Sequence, residues 1–286
     1  MTTLVLPDPE LTKGRFASIP AYSDEALYVA TGVRIAFTTR EGGVSKGPYN
    51  SLNLGSHVKD DLVSVQENRR RVQQAFACED APLFVPNQVH GDTVLELGDP
   101  RSIDTPLAPA QAHELALQAQ DGADGLVVHA LNAAALLCYA DCVPVIIVSP
   151  TGRFAVVHAG WRGVDNLISV KAVRSMAYAD EALLGADAAS TYNVYIGPHI
   201  GPECFETGAD VHARFVSQFG GGECAFDGSH IDLAEGLRIQ LERAGVSRLR
   251  ICDLAKCTVC ENSEFFSYRG QGGTCGRHGA FAVRTR

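Results

Sequence analysis

Val143-Pro-Val-Ile-Ile-Val148 and Phe154-Ala-Val-Val-His158, joined through Pro150-Thr151-Gly152, are the stretch on which the reading of the fold turns. Both runs are short, apolar and rich in β-branched residues, and turn formers separate them, so they read as a hairpin. Upstream, Leu126-Val-Val128 and Ala135-Leu-Leu-Cys-Tyr139 have the same strand character. Downstream, a helix is expected from about Val164 to Leu184, then a strand at Tyr192–Ile196 and helices at Ala209–Phe219 and Leu233–Ala244. Leu249–Leu254 and Ala280–Val283 close the chain as strands. Toward the N-terminus, Leu83–Leu97 reads as two strand pieces flanking Asn87-Gln-Val-His-Gly91. Leu62, Val65, Val72 and Phe76 recur at helical spacing after a cap at Asp60 or Asp61. Arg34–Arg40 reads as a strand followed by a Gly/Pro/Asn/Ser-rich loop, Glu41–Lys59, and a loop of that length inside a compact chain is usually functional. Interleaved strands and helices with hairpins among them imply a mixed sheet, hence an α/β or α+β domain.

The bulk numbers exclude several classes. The 286 residues are 46% hydrophobic and 20% charged, which is ample for a large core. Lys and Arg total 24 against 33 Asp and Glu, a net charge of -9, and a nucleic-acid binder would carry a basic face instead. The one basic run, Arg69-Arg70-Arg71, lies in the expected helix and reads as a solvated face. Met1–Gly14 has no basic segment followed by an apolar core, and Leu131–Ala140 is far short of the ~20 residues that span a bilayer. Nine cysteines, an odd number scattered without the density of a disulfide framework, fit reduced thiols. The expectation is a cytoplasmic protein with no membrane or nucleic-acid partner. It should form one domain over residues 1–286, with 1–30 as an N-terminal extension and the segment 98–112, holding Pro100, Pro106 and Pro109, as a surface insertion. That segment separates no independent halves, because candidate site residues lie on both sides of it.

If the hairpin turn centres on residue 151, residue 144 falls opposite His158, and Cys142 lies two positions further along. At ~3.3 Å per residue and ~4.8 Å between strands, Cys142 and His158 can share one ion when they face the same side. A slip of one residue would send them to opposite faces. Taken alone, Cys142 reads equally as a core thiol, and His158 as a core histidine satisfied by a carbonyl. His158, however, ends an apolar strand just before Gly160-Trp-Arg-Gly163, where α/β proteins place functional groups. His90 sits similarly between two strand pieces, with Gly91 allowing close approach of a ligand. Two histidines and a cysteine are a three-ligand zinc set whose fourth position stays open, the pattern of a catalytic site.

Several runs carry a resemblance. Phe37-Thr-Thr-Arg-Glu-Gly-Gly-Val-Ser45, Tyr49-Asn-Ser-Leu-Asn-Leu-Gly55, Gln88-Val-His-Gly91, Ala123-Asp124, Ala140-Asp-Cys142, His158-Ala-Gly-Trp-Arg-Gly163, Ile196-Gly-Pro-His-Ile-Gly-Pro202 and Phe265-Phe-Ser-Tyr-Arg269 follow one another over roughly residues 30–286. In this order they resemble the YfiH/laccase-domain family, also called the purine nucleoside phosphorylase and polyphenol oxidase family. The resemblance implies an α-β-β-α sandwich of mixed sheets, similar to the catalytic domain of cytotoxic necrotizing factor, and a zinc site at His90, Cys142 and His158. It also implies phosphorolysis of adenosine, inosine and 5′-methylthioadenosine to free base and a pentose 1-phosphate, together with adenosine deamination. Glu203 and Gly270 stand where many relatives have Cys and Arg, outside the ligand set.

The chemistry implied can be set against composition. A four-copper oxidase needs about ten histidines, many in His-x-His pairs. Here there are nine, none separated by a single residue, so copper is at most an occupant of the His-Cys-His site that gives weak oxidation. The usual nucleobase deaminase signature, His-x-Glu with Pro-Cys-x-x-Cys, is also missing. Cys257-Thr-Val-Cys260 follows Lys256 and lacks a second Cys pair at suitable spacing, so it reads as core or turn thiols. Phosphorolysis calls for a cationic cradle and a clamp for the ribose. Arg40, beside Gly42-Gly43, and Arg162, at a helix start, are the candidates for phosphate, with Asn53 and Gln88 for the sugar. The competing reading makes Cys142 a nucleophile and His158 its base in an amide hydrolase that edits peptidoglycan precursors.

Overall fold

The computed structural model describes residues 5–220 and 228–286, so Met1–Leu4 of the stretch read for a leader lie outside it. In chain order the strands are β1 (Thr12–Phe16), β2 (Ile19–Ser23), β3 (Val33–Thr38), β4 (Leu83–Phe84), β5 (Val94–Leu97) and β6 (Gly125–Val128). They continue as β7 (Ala134–Tyr139), β8 (Val143–Val148), β9 (Phe154–Ala159), β10 (Asn193–Ile196), β11 (Ile251–Asp253) and β12 (His278–Arg284). The helices are α1 (Glu25–Thr31), α2 (Leu62–Ala75), α3 (Pro109–Gln120), α4 (Trp161–Asp165), α5 (Ile168–Leu184), α6 (Ala209–Phe219) and α7 (Leu233–Arg243).

The strands form two six-stranded mixed sheets, ordered β1-β2-β3-β12-β7-β4 and β11-β10-β8-β9-β6-β5. The alternation of side chains along each strand decides how they stack. In β8, Val143, Val145 and Ile147 pack with Ala172 and Val173 of α5 and Leu237 of α7, while Ile146 and Val148 point the other way. There they meet Ile35 and Phe37 of β3, Leu137 of β7 and Ala280 of β12, so the second core lies between the sheets. A third core joins Val72 and Phe76 to Ala36, Leu136 and Phe281 on the outer face of the first sheet. The result is an α-β-β-α sandwich of mixed sheets, an α+β fold.

The β8–β9 register pairs Pro144 with His158, the pairing expected from a turn centred on residue 151. Three local features depart from the sequence reading. The helix expected over 164–184 is broken into α4 and α5, with Leu167 in the left-handed region at φ 62 between them. The segment 98–112 ends inside α3, a helix led by Pro109 whose Ala- and Gln-rich sequence has a weak apolar stripe. The rest of it is tied down by Arg153, only 1% exposed, whose guanidinium donates to Pro100 O at 2.7 Å, and by Arg284, which donates to Ile103 O at 2.8 Å. Residues before 31 form β1, β2 and α1, and β2 pairs antiparallel with β3, so the extension supplies the edge of the first sheet. No helix among the described residues is long and apolar enough to cross a membrane.

Candidate metal centre and active cavity

At one end of the inter-sheet layer the chain runs out of apolar side chains. Along β9, Phe154 and Val156 face the inter-sheet core, and His158 shares their parity. Cys142, immediately before β8, shares the parity of Pro144, the partner of His158, so both point to the same side. His90 comes from the loop between β4 and β5, its backbone in the left-handed region at φ 58. The result is a cluster of His90, Cys142 and His158 whose donor atoms all lie within 4.8 Å of one another. The two imidazoles meet edge to face, centroids 4.8 Å apart. His158 is buried and His90 exposed, so one side of the cluster opens outward.

Gly160 closes the floor. A Cβ there would stand 3.2 Å from Cys142 Sγ and 3.4 Å from a His90 ring carbon, so any side chain would press on the cluster. The organising group is Asp124, wholly buried. One carboxylate oxygen lies 2.7 Å from His158 Nδ1, and the two oxygens accept the backbone N–H groups of Val89, His90 and Gly91 at 3.2, 3.1 and 2.7 Å. One side chain thus fixes the His158 ring through Nδ1, leaving Nε2 for the cluster, and pins the turn that carries His90. This is the arrangement of metal-ligating histidines, which give their second ring nitrogen to a carboxylate. Sequence reasoning gave Asp124 no role; the signal was its place in the Ala123-Asp124 motif.

Charge couples the cluster. Burial alone would raise the Cys142 thiol, but the imidazolium of His158 and hydrogen bonds from His158 and His90 outweigh it and bring it to about 6. Burial would likewise depress His158, yet the Cys142 thiolate and the Asp124 carboxylate lift it to about 9. Without metal the two groups therefore form a thiolate–imidazolium pair at neutral pH.

A cavity of about 470 Å³ opens above the cluster, within the range of small-molecule sites. Ile200, Phe205, Leu233 and Tyr268 make an apolar wall, and three arginines, Arg162, Arg269 and Arg277, are also among the lining residues. The Arg162 guanidinium stacks over Trp161 at 4.4 Å and makes no side-chain hydrogen bond or ion pair among the described residues. Arg269 is held by its side chain on Cys204 O and Glu206 O, and by its backbone N–H on Asp141. Asp141, in the left-handed region at φ 94 just before Cys142, also accepts from Thr258 at 2.7 Å. His57 joins the lining; burial, then the charge of Arg277, lowers its pKa, so it is neutral there.

The four residues proposed for substrate divide. Gln88 and Arg162 line the cavity. The Gln88 amide also brackets the Cys138 backbone, accepting from its N–H at 2.8 Å and donating to its carbonyl at 2.9 Å. Arg40 and Asn53 are not on the lining. Arg40 donates to Asn50 O and Asn262 O and stacks on Phe266. Asn53, buried, accepts the backbone N–H groups of Gly55 and Arg277 and donates to Asp60. Arg269 and Arg277 were missed: Arg269 ends a quoted motif, and nothing local in sequence distinguishes Arg277.

The fold and cluster define an α-β-β-α sandwich protein with a His-Cys-His cluster beside a cavity. Consistent with this, residues 34–285 match the family described as multi-copper polyphenol oxidoreductase laccase, and the chain belongs to that family. Its relatives include the purine nucleoside phosphorylase YlmD of Geobacillus stearothermophilus, 35% identical over 88% of this chain and 90% of the relative. Another is the purine nucleoside phosphorylase YfiH of Escherichia coli, 33% identical over 87% and 93%. The crystal structure of YlmD from Geobacillus stearothermophilus superposes with a TM-score of 0.79 at 30% identity, covering 97% of this chain and 100% of that one. That of the Bacillus licheniformis hypothetical protein YfiH gives 0.76 at 26% identity, covering 93% and 96%.

Proposed function

We propose that this chain is a cytoplasmic, zinc-dependent purine nucleoside phosphorylase that accepts adenosine, inosine and 5′-methylthioadenosine and also deaminates adenosine. The observation that carries the reading is the meeting, in one cavity, of a three-donor cluster and three arginines beside an apolar wall. The names of the relatives support its purine nucleoside phosphorylase part.

The donor set suits zinc: one thiolate and two imidazoles, the buried imidazole oriented by Asp124, with Gly160 leaving room beside the sulfur. His90, Cys142 and His158 would hold the ion, and its chemistry there is that of a Lewis acid with an open position. Copper in the same site would account for weak oxidase activity, but three donors are too few for the four-copper machinery.

The other steps belong to the protein's own residues. In phosphorolysis a phosphate oxygen bonds to C1′ as the C1′–N9 bond breaks, and the electron pair leaves with the purine. Arg162, Arg269 and Arg277 hold the phosphate dianion, for which planar guanidinium donors are well suited. Phe205 and Tyr268 offer aromatic faces to the base, and Gln88 lies where its amide borders the sugar. Arg40 and Asn53 act at one remove, the first by bracing the 40–52 loop and the second by placing Arg277.

Release of base from the three nucleosides, measured with and without phosphate, tests the assignment. Base release that requires phosphate is expected. Ammonia from adenosine without phosphate reports the deaminase, and neither product from any nucleoside overturns the reading. One observation favours a second reading: the Cys142–His158–Asp124 series is also that of a cysteine amide hydrolase. Activity toward an amide of a peptidoglycan precursor in metal-free protein, abolished by alkylating Cys142, would select it.

A further inference from the structure

Cys257 and Cys260 read from sequence as core or turn thiols because no second cysteine pair lies at metal-binding spacing. The fold supplies the missing ligands from a distant segment. Beyond β10 and β11, which run parallel, pairing continues as a bridge between His199 and Cys257, with His199 N–H donating to Lys256 O and Thr258 N–H to His199 O. Each segment then turns back on itself. Cys204 N–H bonds to Gly201 O, and Glu261 N–H bonds to Cys257 O. The two turns face each other and bring Glu203, Cys204, Cys257 and Cys260 together, with one donor atom from each within 4.8 Å of the rest.

We infer that these four residues form a second, structural metal site, built for a zinc-like ion and separate from the His-Cys-His centre. Tetrahedral coordination with Zn–S near 2.3 Å and Zn–O near 2.0–2.2 Å requires S···S edges of about 3.8 Å and S···O edges of about 3.5 Å. Cys204 Sγ and Cys260 Sγ are 3.7 Å apart, and Cys260 Sγ lies 3.6 Å from a Glu203 carboxylate oxygen. The backbone N–H of Gly201 donates to Cys257 Sγ at 3.2 Å, which ties this sulfur to the turn that carries Glu203 and Cys204. A side chain at Gly201 would collide with the Glu203 carboxylate, so glycine there is what lets that carboxylate fold over the sulfurs. Three sulfurs and one oxygen also differ in kind from a site that keeps a position open: four protein ligands close it.

The site has a mechanical purpose. The first turn carries Ile200 and Phe205, and the second leads to Tyr268 and Arg269, all on the cavity wall. Thr258 and Arg269 both bond Asp141, the residue before Cys142. An ion at the second site would staple the two turns and so brace one wall of the cavity.

The test titrates reduced, metal-stripped protein with Zn²⁺ alone against a chromophoric chelator, in four forms: parent, Cys142→Ala, Cys257→Ser with Cys260→Ser, and all three substitutions. The expectation is two, one, one and no equivalents. One equivalent in the parent that survives Cys142→Ala but not the double substitution supports the second site while sinking zinc at the first. No tight equivalent in Cys142→Ala, or equal stoichiometry in parent and double variant, overturns the inference. Because the double variant can misfold, Co²⁺ is added to Cys142→Ala, where the first cluster has lost its only thiolate and cannot supply a cobalt–sulfur band. Intense thiolate-to-cobalt absorption with tetrahedral ligand-field bands is expected, and an octahedral spectrum without it overturns the site. A Cys204–Cys260 disulfide in native mass spectra, with no zinc taken up after reduction, does the same.

Discussion

Asp124 shows how much one buried side chain organises. It is held below the usual carboxylate range because, against the opposing effect of burial, it accepts from His158 and from the 89–91 backbone. Asp124→Asn keeps the shape but removes the charge and offers N–H groups where three N–H donors converge. We expect metal affinity to fall about 10–100-fold, as for other outer carboxylates. Unchanged affinity by competition titration would show that His158 is oriented by something else. Cys142→Ala or His158→Ala should abolish binding at the first centre and lose turnover while the circular dichroism stays native; full activity in either variant removes the centre from the reaction. The thiol gives a pH test. Only the thiolate alkylates, and its fraction rises with pH through the folded pKa, so a lowered value shifts the whole curve to acid. Metal-free protein should therefore react with iodoacetamide along a curve with its midpoint near pH 6, not near 9, with zinc protecting. A midpoint near 9 at Cys142 by peptide mapping would mean that the imidazolium does not stabilise the sulfur.

At the scale of elements, the β8–β9 hairpin was legible because Pro150-Thr151-Gly152 fixes the turn and the turn fixes the register. Once Pro144 is opposite His158, Cys142 and His158 must share a face. What lay beyond a local reading was anything carried by a long connection: Asp124 under His90, Cys204 beside Cys260, Arg277 set by Asn53. β1 was missed because Thr12-Lys-Gly-Arg-Phe16 is an exposed edge without a buried alternation. The buried polar network behind the hairpin was equally hidden. Asp180 on α5 accepts from Arg153, Ser149, Thr151 and Tyr192, at 2.5, 2.5, 2.8 and 2.8 Å, and so ties helix to hairpin turn. Asp180→Ala would leave Arg153 buried and uncompensated, which costs about 3–5 kcal/mol. Urea unfolding should register that loss as a lower midpoint at constant slope. A change below about 1 kcal/mol would mean that water or the loop carbonyls replace the carboxylate.

The whole molecule is woven so that neither half of the chain owns a sheet. In the first sheet, β12 and β7 lie between β3 and β4, so strands from after residue 130 fill the gap between strands from before residue 90. In the second, β5 from the first part of the chain pairs parallel with β6 from the later part. The inter-sheet core mixes both parts, with Ile35 and Phe37 against Val156 and Tyr195. A break anywhere in 98–108 therefore cuts the chain without cutting the structure. Each fragment alone would expose a strand edge and an apolar face that the other covers. The segment is also restrained, since Arg153 and Arg284 hold its carbonyls, and nicking there should be slow for a loop bearing three prolines nearby. Once nicked, the pieces should elute together at the size of the intact chain, keep its circular dichroism and unfold in one transition. Two fragments that separate under native conditions, each with a cooperative transition of its own, would show that the chain holds two domains and that His90 and His158 belong to different folding units.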